Sequence, residues 1–329
     1  MQLFITGSTG YIGGEILYQF LEKFPQIVIH ALYREIGEDL IIKKQIRGEN
    51  IKCIFGSLDD IKIIKKECED ADIIINAANF NHLKSIQIIK DVLINKRRKT
   101  LFLQISGTGK LVNNKLNNNK IFNDVKDIEE INLILNNNEY CETDKIVLSI
   151  QKMNLKFIKT AIICPPLIFG IGNGCKNKLS IQIPMMIKWF IELGNGFIIN
   201  DGNYEWDHSH IFDVGSLFIK IIEKYLKNEE FFNGFKGYYF VQDGNYFNWF
   251  ELSNYITNLL YSKKLIKNLK IDKLNPTEFK NKYGVSSIYW GSNCRTKGEA
   301  GRLIGWVPVK SGDAQFWSDI EDCLTYMQL

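Results

Sequence analysis

The feature that most constrains this chain is its opening, Met1 to Gly14, which reads MQLFITGSTGYIGG. Leu3, Phe4 and Ile5 form an apolar run without polar alternation, as expected of a strand buried on both faces. Gly7, Gly10 and Gly13 follow at G-x-x-G-x-x-G spacing, and Ile12, Ile16, Leu17 and Phe20 begin a helical apolar stripe. Strand, glycine turn and helix start, in that order, make a phosphate site. The glycines let backbone approach a pyrophosphate, while the helix's unpaired N–H groups and dipole favour its charge. The pattern therefore predicts a dinucleotide-binding unit.

The first half continues in the same alternation. Residues 27–32, 51–55, 72–77, 101–105 and 157–163 read as further strands, with helical patterns at 61–68 and 82–95. Strands separated by helices predict an α/β, Rossmann-like, doubly wound parallel sheet with right-handed crossovers. The ligand crevice is expected beyond the strand carboxyl ends, where Gly7, Arg34, Ala77 and Ser106 fall. Residues 1–164, with a returning strand near 237–242, are expected to form the dinucleotide-binding domain. Residues 165–329 are expected to form mainly a small, non-contiguous C-terminal substrate lobe.

Composition excludes several function classes. A net charge of +4, spread along 329 residues, points to neither nucleic acid nor a membrane surface. No apolar run reaches spanning length, and a strand at residue 2 leaves no room for a targeting peptide. Seven scattered cysteines suit reduced thiols in the cytoplasm rather than a disulfide framework. Four histidines, with no cluster at zinc spacing, predict no metal site. The expected partner is a small-molecule substrate; the sequence sets no oligomeric state.

The residues after the second strand discriminate between cofactors. An acid there binds the ribose hydroxyls of NAD; the chain reads Tyr33-Arg34-Glu35. Arg34 suits the 2′-phosphate of NADP, supported by the hydroxyls of Ser8 and Thr9. NADP is the expected cofactor, with NAD as the alternative if Glu35 takes the acidic role.

These motifs together resemble the NAD-dependent epimerase/dehydratase family, the extended and atypical short-chain dehydrogenases/reductases, with the atypical branch nearest. TGSTGYIGG is similar to its opening motif, which implies cofactor contacts from Gly7, Ser8, Thr9, Gly10, Tyr11, Ile12 and Gly13. Gly56-Ser57-Leu58-Asp59 is similar to G-D-L-x-D, with Ser57 replacing the acid, and implies Leu58 near the adenine. Asn76-Ala77-Ala78 resembles H-x-A-A, so Ala77 and Ala78 are implied to line the cofactor. Cys164-Pro165-Pro166-Leu167-Ile168-Phe169-Gly170 resembles R-P-x-x-V-Y-G, implying Pro165 and Pro166 at the nicotinamide end. His210 to Val214, Asn293-Cys294-Arg295 and Leu303 to Pro308 resemble the family's later V-H-V-x-D, N-x-R and L-G-W-x-P segments.

In hydride-transferring members a Ser or Thr after the fifth strand polarises the substrate oxygen, a Tyr transfers the proton, and a Lys four residues later lowers the phenol pKa. The resemblance implies that Ser106 takes the serine role and also borders the cofactor, with Thr108 as its neighbour. Tyr140 is the sole tyrosine before the sixth strand, but Asp144 stands four residues on and lysine only at Lys145. An offset of five swings two helical side chains about 140° apart. The usual dyad is therefore absent unless helix irregularity brings Lys145 round to Tyr140.

The asparagine-rich stretches at 113–120 and 136–138 read as surface loops, the first close enough to Ser106 to act as a lid. In the second half, Thr108, Ile168, Trp206 and His210 are the expected substrate-pocket residues, and Asp213 the expected cap of a helix over 214–225. Trp206-Asp207-His208 contains no arginine to grip a diphosphate, which disfavours a nucleotide-sugar. The expected activity is an NADP-preferring oxidoreductase on a small aldehyde, ketone or alcohol. The alternative is a non-catalytic dinucleotide-binding regulator or redox sensor lacking the dyad.

Overall fold

The computed structural model describes residues 1–45, 50–112, 120–138 and 141–329. Strand β1 (Gln2–Thr6) feeds α1 (Tyr11–Lys23), β2 (Val28–Tyr33) feeds α2 (Glu38–Gln45), and β3 (Ile51–Phe55) feeds α3 (Ile61–Asp70). Next, β4 (Ile73–Asn76) feeds α4 (Leu83–Asn95), and β5 (Thr100–Ile105) runs into a 3₁₀ turn at Thr108–Leu111. After a short β6 (Ile121–Asn123), helices α5 (Ile128–Asn136) and α6 (Glu142–Met153) bring the chain to β7 (Ile158–Cys164).

The second half opens a lobe with β8 (Leu167–Phe169), α7 (Gln182–Leu193), β9 (Gly196–Ile199) and β10 (Glu205–His210). It then returns to the main sheet through α8 (Ile211–Leu226) and β11 (Tyr238–Phe240). The lobe is completed by β12 (Tyr246–Asn248), α9 (Trp249–Ser262), β13 (Ile271–Leu274) and α10 (Pro276–Tyr283). Last come α11 (Ile288–Gly291), β14 (Arg295–Lys297), α12 (Glu299–Leu303) and α13 (Asp313–Tyr326).

The main sheet has the order β11-β7-β5-β4-β1-β2-β3, and all its pairs are parallel. This is the expected Rossmann-like α/β fold. The chain leaves β1 in one direction and returns to β4 on its other side, so the order reverses between β1 and β4. That switch point opens a crevice at the strand carboxyl ends. One sheet face is covered by α1 (Ile16, Leu17, Phe20) and α8 (Val214, Leu217, Phe218), the other by α3, α4 and α6 through Ile64, Ile89 and Val147. Covering both faces is what lets the strands be apolar throughout: Leu3, Phe4 and Ile5 are all fully buried. The lobe has its own aromatic core, in which Trp189 meets Phe279 and Trp290 edge-on.

The expected strands and helices lie where the patterns put them, with ends shifted by a residue or two. Asp213 is a correction. Helix α8 starts earlier than expected, and its N-cap is His210, whose Nδ1 accepts from Phe212 N at 3.0 Å. Asp213 lies inside the first turn and accepts instead from the N–H groups of Val309 and Lys310 at 2.8 and 3.0 Å. Among the described residues no helix is long and apolar enough to cross a membrane, and all seven cysteines are free.

Asp124 joins sheet and lobe. Its buried carboxylate accepts from Phe240 N (2.9 Å) on β11 and from Glu299 N (2.7 Å) and Ala300 N (2.9 Å) at the start of α12. Asp124→Ala strands two buried N–H groups and one half-buried one, and is expected to lower stability by about 3 kcal/mol or more, measured by urea unfolding. Burial lifts this carboxyl to about 6 despite the three N–H bonds. The folded chain therefore holds that proton more tightly than the unfolded chain, whose aspartates titrate near about 4. Its contribution to stability falls as pH rises from about 4 to about 6, and Asp124→Asn is expected to remove that decline.

Candidate functional site

The crevice is built on contacts that leave no space for side chains. Gly7 sits at φ +75°, and a Cβ there would lie 2.6 Å from Ala77 O and 2.7 Å from Ala78 N. A Cβ at Gly13 would lie 2.1 Å from Gly7 O. Strand end, helix start and the segment after β4 thus touch backbone to backbone. Gly10 caps α1 without any side-chain hydrogen bond, leaving the first-turn N–H groups facing the crevice uncapped. Ile12 is half-buried against the sheet core, and the Tyr11 hydroxyl donates to Phe169 O (3.0 Å) and Gly170 O (2.6 Å). Residues 170–178 strap across this turn: Asn173 N bonds Glu15 (2.7 Å) and Asn177 N bonds Thr9 O (3.2 Å).

At the far end of the crevice, Ser8 departs from its expected role. It is fully buried and its hydroxyl donates to Leu32 O at 2.8 Å. The Thr9 hydroxyl bonds Glu38. The buried Glu38 also accepts from Arg34 N (3.2 Å), Glu35 N (3.1 Å) and Lys176 Nζ (2.9 Å). Burial pushes the Glu38 carboxyl up, but Lys176 and the other donors outweigh it and hold the group below its ordinary value. Lys176 pairs with Glu35 as well. Arg34 is exposed just past β2, and among the described residues its guanidinium has no ion-pair partner. Leu58 is half-buried after β3.

At the near end, Ser106 follows β5, and its N–H bonds Ile163 O at 2.8 Å. Pro165 and Pro166 are buried just after β7, with Pro165 O accepting from Thr108 N at 3.1 Å. The centre of this end is Asp144. Ser106 Oγ donates to its Oδ2 at 2.8 Å, the Tyr238 hydroxyl to the same oxygen at 2.5 Å, and Lys110 Nζ to Oδ1 at 2.9 Å. All four residues are buried. Burial and then the Asp144 charge push the Tyr238 phenol well up, and the Cys164 thiol likewise. Lys110 also lies over the Phe80 ring, 5.0 Å from its centre. Below, Thr6, Asn76 and Gln104 form a buried hydrogen-bonded row across β1, β4 and β5.

Lys145 does not join this cluster; it pairs with Glu142 at 3.2 Å on the first turn of α6. Tyr140 lies outside the described residues, as do residues 113–119 of the lid expected at 113–120. Of the expected pocket residues, Thr108 is buried, and its hydroxyl has no hydrogen-bond partner among the described residues. Ile168 packs partly buried against the sheet core. Trp206 is buried edge-on to Trp249 and approaches Gly109. His210 is committed elsewhere. Besides capping α8 it lies 3.3 Å from Asp319 and presses on Gly170, where a Cβ would sit 2.2 Å from its Nε2. Sequence reasoning missed Lys110, Tyr238, Glu38 and Lys176 and saw in Asp144 only a disrupted dyad. The one available signal was the four-residue spacing of Ser106 and Lys110.

No family model matches the chain. It is similar to oxidase ucsJ from Acremonium sp, with 24% identity over 326 residues, 94% of this chain and 93% of the relative. Among solved structures it is similar to dTDP-glucose 4,6-dehydratase from Bacillus anthracis str. Ames in complex with NAD. The TM-score is 0.69 at 14% identity, covering 100% of this chain and 98% of that one. It is also similar to UDP-glucose 4-epimerase from Thermotoga maritima with UDP-glucose (TM-score 0.67, 11% identity, 99% and 100% covered). At such identities the likeness is one of fold.

Replacing one member of a buried ion pair leaves the other charge uncompensated. Lys110→Met is expected to destabilise by about 3–5 kcal/mol. Lys145→Ala removes a half-exposed pair and is expected to cost less than about 1 kcal/mol. Urea unfolding of both variants checks the contrast.

Proposed function

We propose that this chain is an NAD(P)-dependent oxidoreductase of the atypical branch of the short-chain dehydrogenase/reductase superfamily. It prefers NADP, works in the cytoplasm, and interconverts a small aldehyde or ketone with its alcohol. The observation that carries this reading is the glycine cradle: a turn without room for a Cβ, ending in an uncapped helix start at the sheet's switch point. In this reading residues 1–164, with the strand near 237–242, hold the dinucleotide, and residues 165–329 mainly form the substrate lobe.

The residues present fit a dinucleotide. Gly10 and the first-turn N–H groups of Tyr11, Ile12 and Gly13 take the pyrophosphate. Arg34 takes the 2′-phosphate, and Leu58, Ala77 and Ala78 line the adenosine and ribose path. Ser106, Pro165 and Pro166 border the nicotinamide end. When bound, the nicotinamide supplies or accepts a hydride. In reduction the hydride goes to the carbonyl carbon and the oxygen takes its proton from solvent water; Ser106 orients that oxygen, and Lys110, paired with Asp144, stands beside Ser106. A nicotinamide cofactor is also what the NAD-bound dehydratase of the same fold supports.

A non-catalytic dinucleotide-binding regulator is the second reading, favoured by one observation. The Ser106 hydroxyl is already donated to Asp144, and Lys145 pairs with Glu142.

Calorimetric titration tests the cofactor. Gly10→Val is expected to abolish binding in a folded protein, since the nearest atom to a Cβ there is Gly7 O at 3.1 Å, a far milder contact than at Gly13. Arg34→Ala is expected to weaken NADPH about tenfold to a hundredfold and NADH little. Equal losses for both cofactors would show that Arg34 does not read the phosphate.

Turnover separates the two readings. With a panel of aldehydes and ketones, Ser106→Ala is expected to cut NADPH-dependent reduction by about 10²–10³-fold. A wild-type protein that binds NADPH but reduces nothing favours the regulator.

A further inference from the structure

A cleft of about 870 Å³ opens beside Asn81 and Gly109–Val112, the segments that follow β4 and β5. It therefore lies on the carboxyl side of the sheet, where an open α/β sheet binds its ligands. Lys110 reaches both this cleft and, through Asp144, Ser106. The opposite walls are α5, through Leu133 and Ile134, and the lobe segment 286–295, through Ile288. Phe122 of β6 also lines it.

Two properties of these walls limit what fits. The first is apolar surface left to water: Leu133 is 60% exposed, and Ile134, Val112 and Ile288 are only half-buried. The second is charge. Three cations line the cleft, and each is matched. Lys110 pairs with Asp144, Lys120 with Asp127 and Glu130, and Arg295 with Asp207 and Glu205. Arg295 is further held by the Tyr246 ring, 3.5 Å away. Five carboxylates therefore answer three cations. Among the described residues, a nucleoside diphosphate entering here meets no unpaired cation, and gains one only by displacing a carboxylate of the protein.

We infer that this cleft binds an uncharged, predominantly apolar carbonyl or hydroxyl compound, such as an aromatic or fused-ring ketone, with its oxygen at the Lys110 end. The volume lies in the upper part of the range for drug-sized ligands, so the substrate is larger than a simple aldehyde. The inference deepens the oxidoreductase reading by naming the substrate class, and rests on that reading for placing the oxygen near Ser106.

Isothermal titration of the full chain with 2-acetylnaphthalene and with UDP-glucose, with and without NADPH, tests it. Saturable binding of the ketone at one site is expected, with none of UDP-glucose up to about 1 mM. Leu133→Lys and Ile288→Lys, at positions exposed enough to tolerate the change, are each expected to weaken the ketone about tenfold or more. NADPH affinity should be unchanged in both. Tighter binding of UDP-glucose than of the ketone, absence of ketone binding, or ketone affinity indifferent to both variants overturns the inference. NADPH titrated alone keeps the two readings apart. Ketone binding without NADPH binding supports the cleft and defeats the oxidoreductase reading; NADPH binding without ketone binding defeats the cleft alone.

Discussion

The crevice depends on one steric constraint, the contact of Gly13 and Gly7 with each other's backbone and of Gly7 with Ala77 and Ala78. Glycine alone permits it, through the positive φ at Gly7 and the missing Cβ at both positions. It draws the start of α1 down onto the strand ends, so the helix dipole and its uncapped N–H groups meet whatever occupies the switch point. The rest of the chain is fitted around that position. Tyr11 lashes the helix to β8, and the strap at 170–178 closes over the turn from the second half of the sequence.

The second organising group is the Asp144 carboxylate. It gathers Ser106 after β5, Lys110 on the 3₁₀ turn and Tyr238 on β11 around a single buried charge. A carboxylate buried this deeply is tolerable because a lysine and two hydroxyls answer it. Asp144 follows Tyr140 by four positions in the sequence, and Lys145 is engaged outside the cluster with Glu142.

Charge pairing sets the character of the cleft. A fold shared with nucleotide-sugar enzymes says little about substrate, because substrates are read by side chains on the lobe and loops. Here the described cations lining the cleft are paired with the protein's own carboxylates. Arg295, in the segment that resembles the family's N-x-R, is held between Asp207, Glu205 and the Tyr246 ring. The rest of the lining mixes apolar side chains, Leu133, Ile134 and Ile288 among them, with the amides of Asn81 and Asn137.

The fold was legible because its signals are local. An apolar run of three residues, a glycine spacing of three and an apolar stripe each reflect forces acting within one element, and β1, α1 and the later strands form where those patterns lie. The misses share a cause. Ser8 reads as a phosphate-facing hydroxyl, yet Leu32 O lies within its reach once β2 is laid beside β1. Asp213 reads as a helix cap, yet the cap is His210 and the carboxylate is taken by residues 309 and 310. By itself, the sequence determined the parallel sheet, the crevice and the glycine cradle, because backbone sterics and periodicity are written in neighbouring residues. Tertiary structure alone decided which polar groups meet at the Ser106 end of the crevice. Ser106, Lys110, Asp144 and Tyr238 span more than a hundred positions, and only the crossing of β5, α6 and β11 brings their charges within hydrogen-bonding distance.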